Sequence, residues 1–357
     1  MDKLSLEKSL TFGFEQTFTI PNWWTEEGFT ATSDTPLKRE KMLDLARELA
    51  SEIGGKYLES EDIWKHMQYE VSDTSGKTQF FVTMDPGSIE LKTPPVTISE
   101  IEKMAEPLFL AAERAGVVAY RNWWYGVKAG TEGGCHVNFG GLTDATNPLI
   151  QRPELVVRYA AYMHNRPWLH YPFMGIDVGP EGNAMRLDEK EGFDKVISTF
   201  NEYTKLDQKL TAQETYDFFK ETNIITEKAS FPSLYKFKEG LFLIEDRAQE
   251  AMRSAREFYL VSLMRLRILE YLDEQESPEE LLSFENLHQE KLTSTWLWDQ
   301  FESWSKELDL PTEEYIPFFE RQFPILEAGE NVPEELDVRD GRRPRVITDI
   351  VKRGDVM

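Results

Sequence analysis

A strand that is apolar on one side and carries an acid, an imidazole or a guanidinium on the other fits a sheet with one covered face. This chain has several such strands. In TFGFEQTFTI (11–20) alternation puts Phe12, Phe14 and Phe18 on one face and Gly13, Glu15 and Thr17 on the other. QFFVTMDPGSIELKTPP (79–95) reads as two strands around a DPGS turn, with Glu90 and Lys92 opposed to Ile89 and Leu91. GGCHVNFGG (133–141) turns His136 and Asn138 one way and Cys135, Val137 and Phe139 the other. In FLIEDR (242–247) Glu245 and Arg247 share a face, as Arg186 and Asp188 do in AMRLD (184–188).

Helical periodicity fills the intervals. It runs over 36–55 to a glycine pair, over 98–117 behind a cap at Ser99 with Pro107 as a kink or break, and over 152–165. A long helix follows FLIEDR, and the pattern stays helical, acidic and aromatic to about 330. The expected fold class is α+β: a single domain over 1–335 with a curved antiparallel sheet flanked by helices, and a C-terminal helical extension from about 256. The basic stretch 336–357 forms a tail on an acidic body.

Forty basic against 64 acidic residues give a net charge of −24, which argues against a chain that tracks nucleic acid or an anionic membrane surface. With 40% apolar residues there is enough for a real core. One cysteine excludes an intrachain disulfide framework. No apolar run approaches the ~18 residues of a membrane span, and the first residues lack a signal-peptide pattern, so the expected location is cytoplasmic.

If the strands lie in one sheet, their polar faces bring together Glu15, Glu90, His136, Glu245, Arg186 and Arg247. Carboxylates and a neutral imidazole suit Mg2+ or Mn2+. Arginines beside them suit phosphate or carboxylate. Metal plus arginine is equipment for ATP. Taken singly, each residue also reads as an ordinary member of a solvated strand face, and His136 as a hydrogen-bonded structural histidine. GxxxxGK[ST], GxGxxG, GxSxG and HExxH are absent. Cys135 and His136 face opposite ways, so they cannot pair as nucleophile and base within that strand. The arginines of RSAREFYLVSLMRLR (253–267) read as the polar face of a helix. The glycine-containing loop 174–189 beside Arg186 is a candidate cover for ATP, and Trp23, Trp24, Trp123 and Trp124 are candidates for stacking on adenine.

The order GFEQTF, TMDPGSIELKTPP, GTEGGCHVNFGG, NPLIQRPELV, NRPWLHYPF, MRLDE and IEDRAQE resembles the glutamine synthetase-like carboxylate–amine ligase superfamily. Within it, the chain is similar to a bacterial group of amidoligases of unassigned substrate, over roughly residues 11 to 270. The resemblance implies ATP-dependent amide formation through an acyl phosphate, with a carboxylate and an amine as substrates. It assigns Glu15, Glu90, His136 and Glu245 to metal binding. Gly134, His136, Asn138, Arg186 and Arg247 fall to the nucleotide, and Arg186, Arg247 and Asn138 to the reaction itself. It also implies that the glycines flanking the strand let ATP approach the backbone. Relatives form rings or dimers, which leaves a homo-oligomer open. This chain departs from the pattern at Thr17, where a second glutamate is usual, and before the DPG turn, where Asp85 is the available acid. Alternatives are a phosphotransferase of related architecture and a catalytically inactive nucleotide-binding or interaction protein that would use an exposed aromatic C-terminal segment.

Overall fold

The computed structural model describes residues 5–20, 35–62, 65–85, 88–119, 134–143, 145–169, 171–173, 198–206, 208–221, 233–238, 241–249, 251–275, 277–282 and 294–320. They form a mixed α/β fold built on an antiparallel sheet. Its strands are β1 (Thr11–Thr19), β2 (Lys56–Glu61), β3 (Met67–Ser72), β4 (Thr78–Asp85), β5 (Ser88–Lys92), β6 (Val118–Ala119), β7 (Cys135–Gly140), β8 (Ser233–Lys238) and β9 (Leu241–Gln249). The strand order is β2-β3-β4-β5-β1-β7-β9-β8, with β6 pairing β1.

The chain divides into two compact units. One comprises residues 13–136, 250–259 and 332–357. Here β1 pairs with β5, β5 with β4, β4 with β3 and β3 with β2, all antiparallel. The register makes one face apolar: Phe14, Phe18, Ile89, Leu91, Val82 and Val71 are each no more than 1% exposed. Two helices pack together in this unit, α2 (Pro36–Glu52) and α3 (Ile101–Ala115), following the short α1 (Leu6–Ser9) in chain order. Helix α2 also packs on β2, β3 and β4. Phe14 stacks on Phe258 with centroids 4.1 Å apart, and Phe109 meets Phe258 edge-on at 5.5 Å.

Local chemistry sets these helix ends. Thr35 caps α2 by accepting from the Lys38 N–H (3.2 Å), and Pro36, which has no N–H to lose, opens the helix. The start of α3 corrects the Ser99 expectation. A short 3-10 turn, Ile98–Glu100, precedes it, and the cap is Thr97, whose N–H and hydroxyl both donate to the Glu100 carboxylate (3.1 and 2.7 Å). Pro107 sits inside α3 without ending it.

The other unit comprises residues 1–12, 137–249 and 260–331. It holds α4 (Pro148–Gln151), α5 (Glu154–His164), α6 (Ala212–Glu221), the β8–β9 hairpin, most of α7 (Ala255–Asp273) and α8 (Ser294–Glu307). The helix expected over 152–165 is α5, opened by Pro153, and the short α4, capped by Asn147, precedes it. The aromatic C-terminal stretch is core. Phe301, Tyr315, Phe318 and Phe319 are buried, Trp304 donates to the Tyr162 hydroxyl (2.7 Å) and the Tyr315 hydroxyl donates to the Leu260 carbonyl (2.7 Å). An exposed aromatic docking segment, which the interaction alternative needed, is not what these residues form. Among the described residues no helix is long and apolar enough to cross a membrane.

Candidate metal centre

The polar face of the sheet is set by the register of β1. Glu15 and Thr17, both almost fully buried, lie directly across from Lys92 and Glu90 of β5. Directly paired residues of an antiparallel ladder project to the same face. Glu15, Thr17, Glu90 and Lys92 therefore share one surface, the one opposite Phe14, Phe18 and Leu91.

Thr17 ties β1 to Gly134. Its hydroxyl accepts from the Gly134 N–H (2.6 Å) and donates to the Gly134 carbonyl (2.7 Å), while its own N–H donates to the same carbonyl (2.9 Å). Both backbone polar groups of Gly134 are thus engaged, which fixes the chain one residue before β7 begins. Two residues further, His136 projects on the polar side, with Cys135, Val137 and Phe139 buried on the other as alternation predicts. Its Nδ1 lies 3.3 Å from Glu15 Oε2. Asn138 follows on the same face, half-buried. Gly141 closes the motif for a packing reason: a Cβ there would stand 2.2 Å from Asn147 Cα, in backbone that cannot yield. That glycine makes room for the cap of α4.

Glu245, on β9, is 2% exposed. One ligand atom from each of Glu15, His136 and Glu245 lies within 4.8 Å of the other two. Octahedral ligands about 2.1 Å from an ion stand about 3 Å apart when adjacent and about 4.2 Å when opposite. Separations of up to 4.8 Å are therefore of the order that ligands of one ion have, with some closing needed for those that would be adjacent. Two carboxylates within 4.8 Å repel by about 3–4 kcal/mol at an effective dielectric of about 20. A divalent cation relieves that repulsion, and two carboxylates with an imidazole are a donor set that Mg2+ or Mn2+ accepts. The residues fit the ion.

Glu90 is not part of that group. Its Oε1 is 2.9 Å from the Lys92 ammonium. Burial by itself would lower the Lys92 pKa, but the negative charges of Glu90 and Glu15 and the hydrogen bond to Glu90 outweigh it, and the net shift is upward. Lys92 is therefore firmly protonated.

Behind Glu245 the next residue, Asp246, points into the core and is fully buried, as is Arg265 of α7. Arg265 donates to Asp246 Oδ2 from Nε (3.1 Å) and Nη2 (2.5 Å), and the Tyr159 hydroxyl donates to the same oxygen (3.2 Å). Arg265 is thus no member of a solvated helix face, whereas Arg256, reaching Glu102 at 3.3 Å, and Arg267, reaching Glu270 at 2.7 Å, do lie there. The backbone of Arg247 continues β9. Arg186, the 174–189 loop, Trp23, Trp24, Trp123, Trp124 and the 336–357 tail lie outside the described residues.

Sequence reasoning missed the clamp at Thr17, the Lys92–Glu90 pair and the Asp246 anchor. It also passed over Gln249, which is fully buried and whose amide has no partner among the described residues. Its signal was period two along β9 from Glu245 and Arg247.

Residues 68–199 match the model of a family described as "Putative amidoligase enzyme (DUF2126)". That stretch carries Glu90, Gly134, His136, Asn138 and Arg186. A solved structure of the complex between prokaryotic ubiquitin-like protein Pup and its ligase PafA is similar at 11% identity and a TM-score of 0.34. The match covers 97% of this chain and 66% of that one. No curated protein matches. Over residues 68–199, then, the chain is similar to an amidoligase family.

Proposed function

We propose that this chain is an ATP-dependent carboxylate–amine ligase with a glutamine synthetase-like catalytic fold. The observation that carries the reading is the grouping of one possible ligand atom from each of Glu15, His136 and Glu245 within 4.8 Å of one another. The match over 68–199 to an amidoligase family supports it.

In this reading Glu15, His136 and Glu245 hold Mg2+ or Mn2+. The ion supplies charge neutralisation at the phosphates when bound. The Glu15 carboxylate, 3.3 Å from Nδ1, orients the imidazole, and the Thr17–Gly134 clamp holds the strand that carries it. A substrate carboxylate oxygen attacks the γ-phosphorus, the bond to the bridging oxygen breaks, and ADP leaves. Arg247 and Arg186 stabilise the charge on the phosphoryl in transit. The amine nitrogen then attacks the acyl carbon, the carbon–oxygen bond to phosphate breaks, and the nitrogen gives up a proton, which the departing phosphate takes, to leave the amide. Asn138, on the His136 side of β7, contacts the substrate or the phosphate.

The test is ADP release with Mg2+ or Mn2+ against pooled amino acids, small acids, short peptides and amines, with products weighed by mass spectrometry. A new mass of acid plus amine minus water is expected. A phosphorylated acid without amide would replace the ligase by a phosphotransferase.

A further inference from the structure

Gln249 closes β9 fully buried, and neither its amide nitrogen nor its amide oxygen has a hydrogen-bond partner among the described residues. A glutamine side chain carries two N–H donors and an acceptor oxygen, and leaving both kinds idle away from water is costly. An apolar side chain of the same length would fill the place without that cost. Period two puts Gln249 on the face of Glu245, with Arg247 between them and with Ile244 and Asp246 buried on the other face. At about 3.3 Å per residue, Glu245 and Gln249 stand about 13 Å apart along the strand. The polar faces of β1 and β4 carry idle groups too. Thr19 follows Glu15 and Thr17 in alternation on β1, and Thr83 on β4 shares the face of Thr17 because both pair with Glu90. Both threonines are buried, and neither hydroxyl has a partner among the described residues.

We infer that Gln249 reads the backbone of the acyl substrate, so that the acid this chain activates is a peptide and not a free amino acid or a simple acid. The inference rests on the ligase reading of the site. There the ion held at Glu245 lies on the phosphates, Arg247 lies at the phosphoryl in transit, and the acyl group stands in line beyond it. The next position on the same face, about 7 Å past Arg247, meets the part of a substrate a few bonds from its reacting carboxyl. The chemistry of the side chain selects among the groups found there. A carboxylate only accepts and an ammonium only donates, so either leaves half of the carboxamide unpaired. An extended peptide residue presents its N–H and its C=O on one side, as it does to a neighbouring strand, and so satisfies both halves together. Rotation about the glutamine side-chain torsions turns the carboxamide toward such a residue with β9 in place. Away from water, a hydrogen-bonding pair discriminates strongly against a substrate that lacks the matching groups.

The test compares the parent with Gln249→Met and Gln249→Leu, which remove the polar atoms at little change in volume. Urea unfolding comes first and needs no substrate. With no internal partner to lose, the variants should match or exceed the parental midpoint. A lower midpoint in both, or failure of both to fold, reveals an internal partner and overturns the inference. ADP release with Mn2+ is then measured against short peptides in one pool and free amino acids and small diacids in another, with amines that contain no amide bond. The parent should turn over the peptides, and Gln249→Met should raise their half-saturating concentration about tenfold or more while that of ATP stays as it was. Turnover confined to the amide-free pool, or a peptide value that the substitution leaves unchanged, overturns the inference and leaves the ligase standing. Weakened ATP with unaltered peptide does the same, since it places Gln249 at the nucleobase. No ADP release by the parent from either pool removes the ligase reading and this inference with it.

Discussion

Replacing Asp246 by alanine tests how β9 is held. Asp246 and Arg265 are both 0% exposed, and one carboxylate oxygen receives Arg265 Nη2 at 2.5 Å, Nε at 3.1 Å and the Tyr159 hydroxyl at 3.2 Å. Removing the acid leaves a guanidinium charged in the core, where its Nη1–H donates to the Val261 carbonyl (2.8 Å). Breaking a buried pair on one side costs about 3–5 kcal/mol. The orphaned Tyr159 hydroxyl, whose pKa burial raises well above its ordinary value so that it stays neutral, adds about 1 kcal/mol more. Urea unfolding followed by tryptophan fluorescence, with the slope checked for constancy, reads the loss directly. The companion Asp246→Leu/Arg265→Met, which removes both charges, should recover most of it. A loss below about 1 kcal/mol for Asp246→Ala would refute the claim that this pair fixes the strand. The consequence reaches the site, because a one-residue slip of β9 would exchange the faces of Glu245 and Asp246.

Three further outcomes follow from single contacts. Gly141→Ala forces a Cβ to 2.2 Å from Asn147 Cα and should cost about 3 kcal/mol or prevent folding; thermal melts decide. Thr17→Val keeps shape but strands the Gly134 N–H now bonded at 2.6 Å, for a loss of about 2–3 kcal/mol in urea unfolding. Glu279 sets a pH dependence. Burial raises its carboxyl, but two 2.8 Å bonds from Arg166, that cation's charge and a bond from Asn165 outweigh it, and the net shift is downward. A depressed carboxylate pKa gives stability that is present above the unfolded value, about 4.3, and is lost as pH falls through the lower folded value. Because Glu279 is 39% exposed the effect is under about 1 kcal/mol. Parent and Glu279→Gln should therefore differ slightly at pH 7 and converge in acid; an undiminished gap below the folded pKa would contradict the pairing.

What the sequence made legible is what alternation encodes. β1, the hairpin of β4 and β5, β7 and β9 each join an apolar row to a polar one, so their buried faces and the side of Glu15, Glu90, His136 and Glu245 could be read directly. β2 could not: Lys56–Glu61 has five of its six residues exposed, so no apolar row marks it as a strand. The Ser99 expectation failed because two hydroxyl residues lie within reach of the first turn of α3, and only Thr97 has Glu100 three residues later. Arg265 was misjudged because helical spacing tells which residues share a face but not that a buried acid on another element awaits one of them. Lys92 was placed on the right face, yet its pairing with Glu90 depends on where the side chains turn, which alternation does not fix.

The central claim is that Glu15, His136 and Glu245 hold one divalent ion, and calorimetric titration of Mn2+ into the folded protein tests it most directly. Saturable binding in the parent that falls by about tenfold or more in His136→Ala and in Glu245→Gln, with folding intact, is the predicted result. Equal affinity in the parent and both variants would contradict it.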